Sequence, residues 1–267
     1  MKVGENMSFQ KAITAYLDLI DRYDTFGKRN RDMSLFSIAL GTLRKDRSLT
    51  KDILTLNSNE SEGLGTMALS RIITEDYLHL LYLNYNQDKL ETNIDRFNTH
   101  PHIQHYIGIQ MLKELGFNLD GLQEKALVAR ITAEFNTHKA KFLRHKESVT
   151  FDPDDYFRTW TGASLDNLIK QSGLTSTDAD KKSLRFMTET YDLASSVIHH
   201  NSFLIWLFAT QDKELFLDEY PEFSLRIVFI VLNKLIALVM EIEQTISKDE
   251  EKQAALLNEL ADIMELA

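Results

Sequence analysis

The run Ile227–Met240 constrains the fold more than any other segment. Its only polar side chains are Asn233 and Lys234, and Arg226 and Glu241 flank it. A segment this apolar must be hidden from water. It falls short of the roughly 20 apolar residues that span a bilayer, so the reading is a central core helix, with no membrane span. Pro221 stands at its entrance, where a proline is tolerated at the start of a helix, and the helix is expected over 222–247.

The rest of the chain must supply elements that cover this helix. Pro and Gly are scarce, at 3 and 10 of 267 residues, and no segment alternates apolar and polar residues with β-branched enrichment. Helices are therefore expected throughout. Residues 8–24 place Ile13, Tyr16, Leu17, Ile20 and Tyr23 at helical spacing. A second helix begins at Asp32 as N-cap. Further helices are expected over about 65–85, 87–115, 119–146, 164–171, 176–208 and 250–266. Gly116 closes one of them, and the Asp152-Pro153 region is the clearest break. The expected fold class is all-α: a single multi-helix, bundle-like domain of about eight to ten helices over residues 1–267. Within it, 1–30 is an N-terminal helix, 30–210 a central portion and 211–267 the apolar and acidic C-terminal helices. Helices 65–85 and 176–208 are expected at its centre.

Composition narrows the function classes. The chain has no cysteine, which removes disulfides, thiolate metal sites and cysteine nucleophiles. With a polar N-terminus that lacks a signal-peptide core, this fits a cytoplasmic location. The net charge of −10 is concentrated at one end: from Asp212 onward there are 13 acidic and 5 basic residues, a net of −8. That end is a poor nucleic-acid surface. The most basic run holds Lys139, Lys141 and Arg144, candidate phosphate contacts for RNA or a solvated helix face. Lys28-Arg29-Asn30-Arg31 and Arg44-Lys45-Asp46-Arg47 are smaller runs of the same kind.

Chemistry-bearing residues recur at helical spacing in two places. Tyr191, Ser195 and His199 are four apart and form a row on one helix face. Arg71, Glu75 and His79 do the same on an otherwise apolar helix. Two readings stay open for a cluster made of both rows. One is a buried hydrogen-bond network that fixes helix register. The other is a site, with His199 as general acid or base and Arg71 neutralising an anion. Glu75 would then orient Arg71 or His199, Ser195 would be a nucleophile only if His199 activated it, and His79 would contribute to binding. Asp76-x2-His79 has a carboxylate–His ligand spacing, but a second such motif is missing. His100-Pro101-His102-x2-His105 reads as a solvated helix start. No metal and no cofactor are expected.

Three segments in order resemble a bacterial family of all-helical domains of unknown function. They are Arg71-x3-Glu75 followed by an apolar, aromatic run, Trp160-x-Gly162 with the short helix after it, and Tyr191-x3-Ser195-x3-His199. The resemblance spans roughly residues 30–205 and extends distantly to HEPN-type helical domains, many of them toxins, ribonucleases or defence components. It implies a helical effector or interaction module in a defence or toxin system. The alternative it implies is a HEPN-like ribonuclease or other phosphate-handling enzyme using His199 and Arg71. The Arg-x4–6-His spacing of HEPN ribonucleases occurs here only as Arg96-x5-His102, interrupted by Pro101. A protein partner or a homodimer is expected, the latter through the apolar helix 222–247 and the terminal helix.

Overall fold

The structure is a computed structural model that describes residues 3–24, 34–58, 64–144, 151–164, 220–245 and 250–267, with isolated helical positions at 167 and between 182 and 195. It is all-α: seven α-helices and no strand occur among the described residues, against the eight to ten helices expected over the whole chain. They are α1 (Val3–Asp24), α2 (Leu35–Ser58), α3 (Leu64–Tyr85), α4 (Leu90–Glu114), α5 (Leu122–His138), α6 (Tyr220–Gln244) and α7 (Glu250–Met264). Two compact units divide them: residues 1–85 with 165–267, and residues 86–164.

The first unit is built around α6. Val228, Val231, Leu232, Leu235 and Val239 have no exposed surface, and α1, α2 and α3 all pack against this helix. By length and composition α6 could cross a membrane, but 67% of its most apolar window is buried inside the fold. Three polar residues of α6 bond to neighbouring helices. Asn233 donates to the Tyr16 hydroxyl at 3.0 Å, Tyr23 donates to Glu243 at 2.5 Å, and Asn84 donates to Glu241 at 3.2 Å. Tyr16 also stacks on Phe229, with ring centroids 5.5 Å apart. Apolar burial alone would let α6 slide or rotate; these bonds fix which face meets α1 and which meets α3.

The cap of α2 corrects one expectation. Asp32 lies outside the described residues, and it is the Ser34 hydroxyl that accepts the backbone N–H of Ser37 at 3.4 Å. That is the N-cap to N3 bond that satisfies an otherwise orphan donor. The second long helix expected at the centre, 176–208, falls mostly outside the described residues.

In the second unit α4 packs on α5, and the segment after α5 folds back over both. Gly116 ends α4 with φ +81, and the bonds Gly116 N–H to Lys113 and Phe117 N–H to Leu112 complete a Schellman cap. Pro101 lies inside α4, so His100 and His102 are mid-helix rather than at a solvated helix start. Ile103, Phe135, Phe142 and Tyr156 form a small core, with Tyr106 stacked on Phe135 at 3.9 Å. Arg96 ties α4 to the returning segment by donating to the carbonyls of Trp160 and Lys141. The turn beyond Trp160 requires glycine, because Gly162 has φ +69 and an added Cβ would lie 3.2 Å from the Phe157 ring.

Truncating the centre of α6 tests this architecture. Leu235→Ala is expected to lower the unfolding free energy by about 2–5 kcal/mol in a urea titration. Leu257→Ala, at a position 44% exposed on α7, should change it by no more than about 0.5 kcal/mol. Equal effects at the two positions would contradict the placement of α6.

Candidate functional site

Helix α3 has two differently charged faces. Its apolar residues Met67, Ile73, Leu78, Leu80, Leu81 and Leu83 are buried, while Arg71, Glu75, Asp76 and His79 stay partly exposed. The Arg71 guanidinium reaches across 120 residues of sequence. It donates from Nη2 to the Tyr191 hydroxyl at 2.8 Å, and its Cζ lies 4.6 Å from the Tyr191 ring centroid. The structure thus joins the two rows at Arg71 and Tyr191. Arg71 Nε is buried and has no hydrogen-bond partner. An Arg71–Glu75 ion pair is not among those of the described residues; Glu75 instead lends its charge to His79. Ser195 is helical and half-buried, and His199 lies outside the described residues.

Next to this cluster sits a pair of acids that sequence reading did not assemble. Asp46 of α2 is completely buried, and it faces Asp76 of α3. No donor serves either Asp46 oxygen, so an ionised Asp46 would be both desolvated and beside a second carboxylate. Burial first, then the Asp76 charge and a hydrogen bond to it, push the Asp46 carboxyl up to about 10, with Lys45 pulling the other way. Asp46 is therefore the protonated member of the pair. Lys45 closes the other side of Asp76 with an ion pair of 2.5 Å. His79 is pushed below its ordinary value by burial; Glu75 and Asp76 oppose the shift and Lys45 adds to it. The result is a neutral acid, a neutral imidazole and a guanidinium with an unused donor, all reached from α3. Clusters with such displaced proton affinities are functional-site candidates.

The signal for Asp46 was present in the sequence. Leu43, Asp46, Thr50 and Ile53 form one buried stripe at spacings of three and four. In the run Arg44-Lys45-Asp46-Arg47 the charge pattern obscures that stripe. The structure shows what this run does: Lys45 pairs with Asp76, and Arg47 pairs with Asp21 at 2.5 Å.

The other basic candidates lie in the second unit. Lys141 is held by both oxygens of Asp95, at 2.7 and 2.9 Å. Lys139 sits 5.8 Å above the Phe135 ring. Arg144 is exposed, and its backbone N–H bonds to the Asp155 carbonyl. Lys141 is thus committed within the fold. Arg96, the only arginine at the HEPN-like spacing to His102, is likewise spent on backbone carbonyls.

The Asp46 proton gives a stability test. Its folded value lies above the ordinary carboxylate value of 3.8. Between about pH 4 and pH 10 the folded protein therefore holds a proton that the unfolded chain releases. This contribution is complete below the unfolded value and is lost as pH rises through the folded one, with a slope of at most about 1.4 kcal/mol per pH unit. Asp46→Asn keeps the shape and cannot ionise. Urea unfolding between about pH 6 and pH 9 should show a downward slope for the wild type that the variant lacks. Parallel slopes would place the proton elsewhere.

No curated protein and no solved structure is significantly similar to this chain. A family described as a family of unknown function, DUF5677, matches residues 36–215, which include α2, α3 and Tyr191. That stretch is more than half of the chain, so the protein belongs to the DUF5677 family.

Proposed function

We propose that the chain is a bacterial helical effector that acts in the cytoplasm on a phosphate-bearing ligand, RNA being the first to test, through the α3 cluster. The observation that carries this reading is Arg71: one donor is fixed on Tyr191 while the buried Nε has no acceptor. A buried guanidinium N–H without a partner is costly, and an anionic oxygen arriving at the cluster would satisfy it. His79 supplies a neutral imidazole able to take a proton, and the Asp46–Asp76 pair retains one to give. Those are the elements of general acid–base catalysis beside an anion-stabilising arginine. His199 remains the second base in this scheme, four residues after Ser195 in the sequence. A defence or toxin role would follow from such an activity turned on a cell's own RNA.

A second reading has its own observation. Asp46 has no exposed surface, which suits a register-fixing network between α2 and α3 in an interaction module with a protein partner.

The two readings differ in what mutation removes. On the first, Arg71→Ala and His79→Ala fold normally by circular dichroism and lower RNA or phosphodiester cleavage about 100-fold or more. Growth arrest on induced expression disappears with it. On the second, Arg71→Ala reduces stability and no turnover exists to lose. A wild-type protein that neither cleaves these substrates nor arrests growth overturns the enzymatic reading.

A further inference from the structure

The second unit carries a ligand set that the α3 cluster does not use. His102 of α4 and Glu134 and His138 of α5 bring three donor atoms within 4.8 Å of one another. His138 Nε2 stands 3.7 Å from Glu134 Oε2, and His102 Nε2 stands 4.0 Å from the same oxygen. The two imidazoles are stacked, with ring centroids 5.3 Å apart and planes 15° from parallel. Both place Nε2 within 4.0 Å of one carboxylate oxygen.

We propose that His102, Glu134 and His138 bind a divalent transition-metal ion of the zinc class. Nitrogen and oxygen ligands bound at about 2.0–2.1 Å to one tetrahedral zinc lie about 3.4 Å apart. The two nitrogen–oxygen separations would close by about 0.3 and 0.6 Å and the imidazole pair, within 4.8 Å, by up to about 1.4 Å, shifts within reach of side-chain rotation. Two histidines and one glutamate are a zinc set that leaves a fourth position open. A hard cation such as magnesium or calcium is disfavoured, because two of the three donors are imidazole nitrogens.

The surroundings say where the open position leads. His102 and Glu134 line a cavity of about 930 Å³ between α4 and α5, whose walls include His105, Leu112, Leu127 and Arg130. A water on the metal would face this largely apolar space. The ligands are held by the fold: Glu134 and His138 are one turn apart on α5, next to the buried Phe135, and Ile103 beside His102 has no exposed surface. One feature limits affinity. His138 Nδ1 is buried without a hydrogen-bond partner, whereas a ligating histidine usually gains about 10–100-fold in affinity from a second-sphere acceptor there. Micromolar binding is the expected regime.

The experiment uses the full-length, tag-free chain, stripped with chelator and titrated with Zn²⁺ in a calorimeter. One ion per chain should bind, and Co²⁺ in its place should give the intense visible bands of tetrahedral nitrogen–oxygen coordination. His102→Gln, Glu134→Gln and His138→Ala should each weaken binding by about ten-fold or more, with circular dichroism confirming that each variant is folded. His102→Gln, at a partly exposed position, serves if the His138 variant does not fold. His105→Ala should leave the stoichiometry at one. No binding, or binding that all three ligand variants retain, would overturn the assignment. RNA cleavage by the α3 cluster is measured separately, with Arg71 variants, so failure of either proposal leaves the other standing.

Discussion

Covering α6 is the physical requirement that organises the first unit. A helix with this little polarity is stable in water only when other helices enclose it, and α1, α2 and α3 do so. The enclosure has a consequence for α2 and α3. Both pack apolar residues against α6 and pack on each other. The α2–α3 seam is where Asp46, Asp76 and Lys45 meet. Asn233 and Glu243 give the packing its register through Tyr16 and Tyr23.

The same packing explains the proton chemistry of the seam. Asp46 is buried because its stripe of Leu43, Thr50 and Ile53 is buried. A carboxyl placed there must stay neutral or find a counter-charge, and Lys45 is already engaged with Asp76. Neutralisation by a shared proton is the cheaper outcome. Burial also keeps His79 unprotonated despite two nearby carboxylates. The core thus sets the protonation states at the seam through desolvation. The DUF5677 match, residues 36–215, contains α2, α3 and Tyr191, while α1 and α6 lie outside it. The polar cluster thus belongs to the family portion and the enclosing helix does not.

The second unit relies on aromatic packing. Tyr106, Phe135, Phe151 and Tyr156 contact one another through stacked and edge-on rings, which lets a small unit bury a large area with few residues. Arg96 reinforces it by closing backbone carbonyls of the returning segment. This leaves the histidine-bearing faces of α4 and α5 opposite each other, and so places His102 against Glu134.

Much of the fold was legible in the sequence. Apolar spacing located α1, α3 and α6 to within a few residues, Gly116 marked the end of α4, and the contact of Arg71 with Tyr191 was anticipated from two rows at helical spacing. These depend on local periodicity and on backbone preferences that act within a few residues. The sequence did not show that Asp46 meets Asp76, because a charged residue on an apolar stripe reads locally as part of a basic run. Nor did it show that His102 meets Glu134 and His138, because the ligands come from two helices whose relative rotation is set by the aromatic core. What the sequence determined was the helical content, the need to bury α6, and the presence of a polar face on α3. Tertiary structure alone decided which charges became neighbours, because proximity between helices, and the desolvation that comes with it, is a property of packing and not of spacing along the chain.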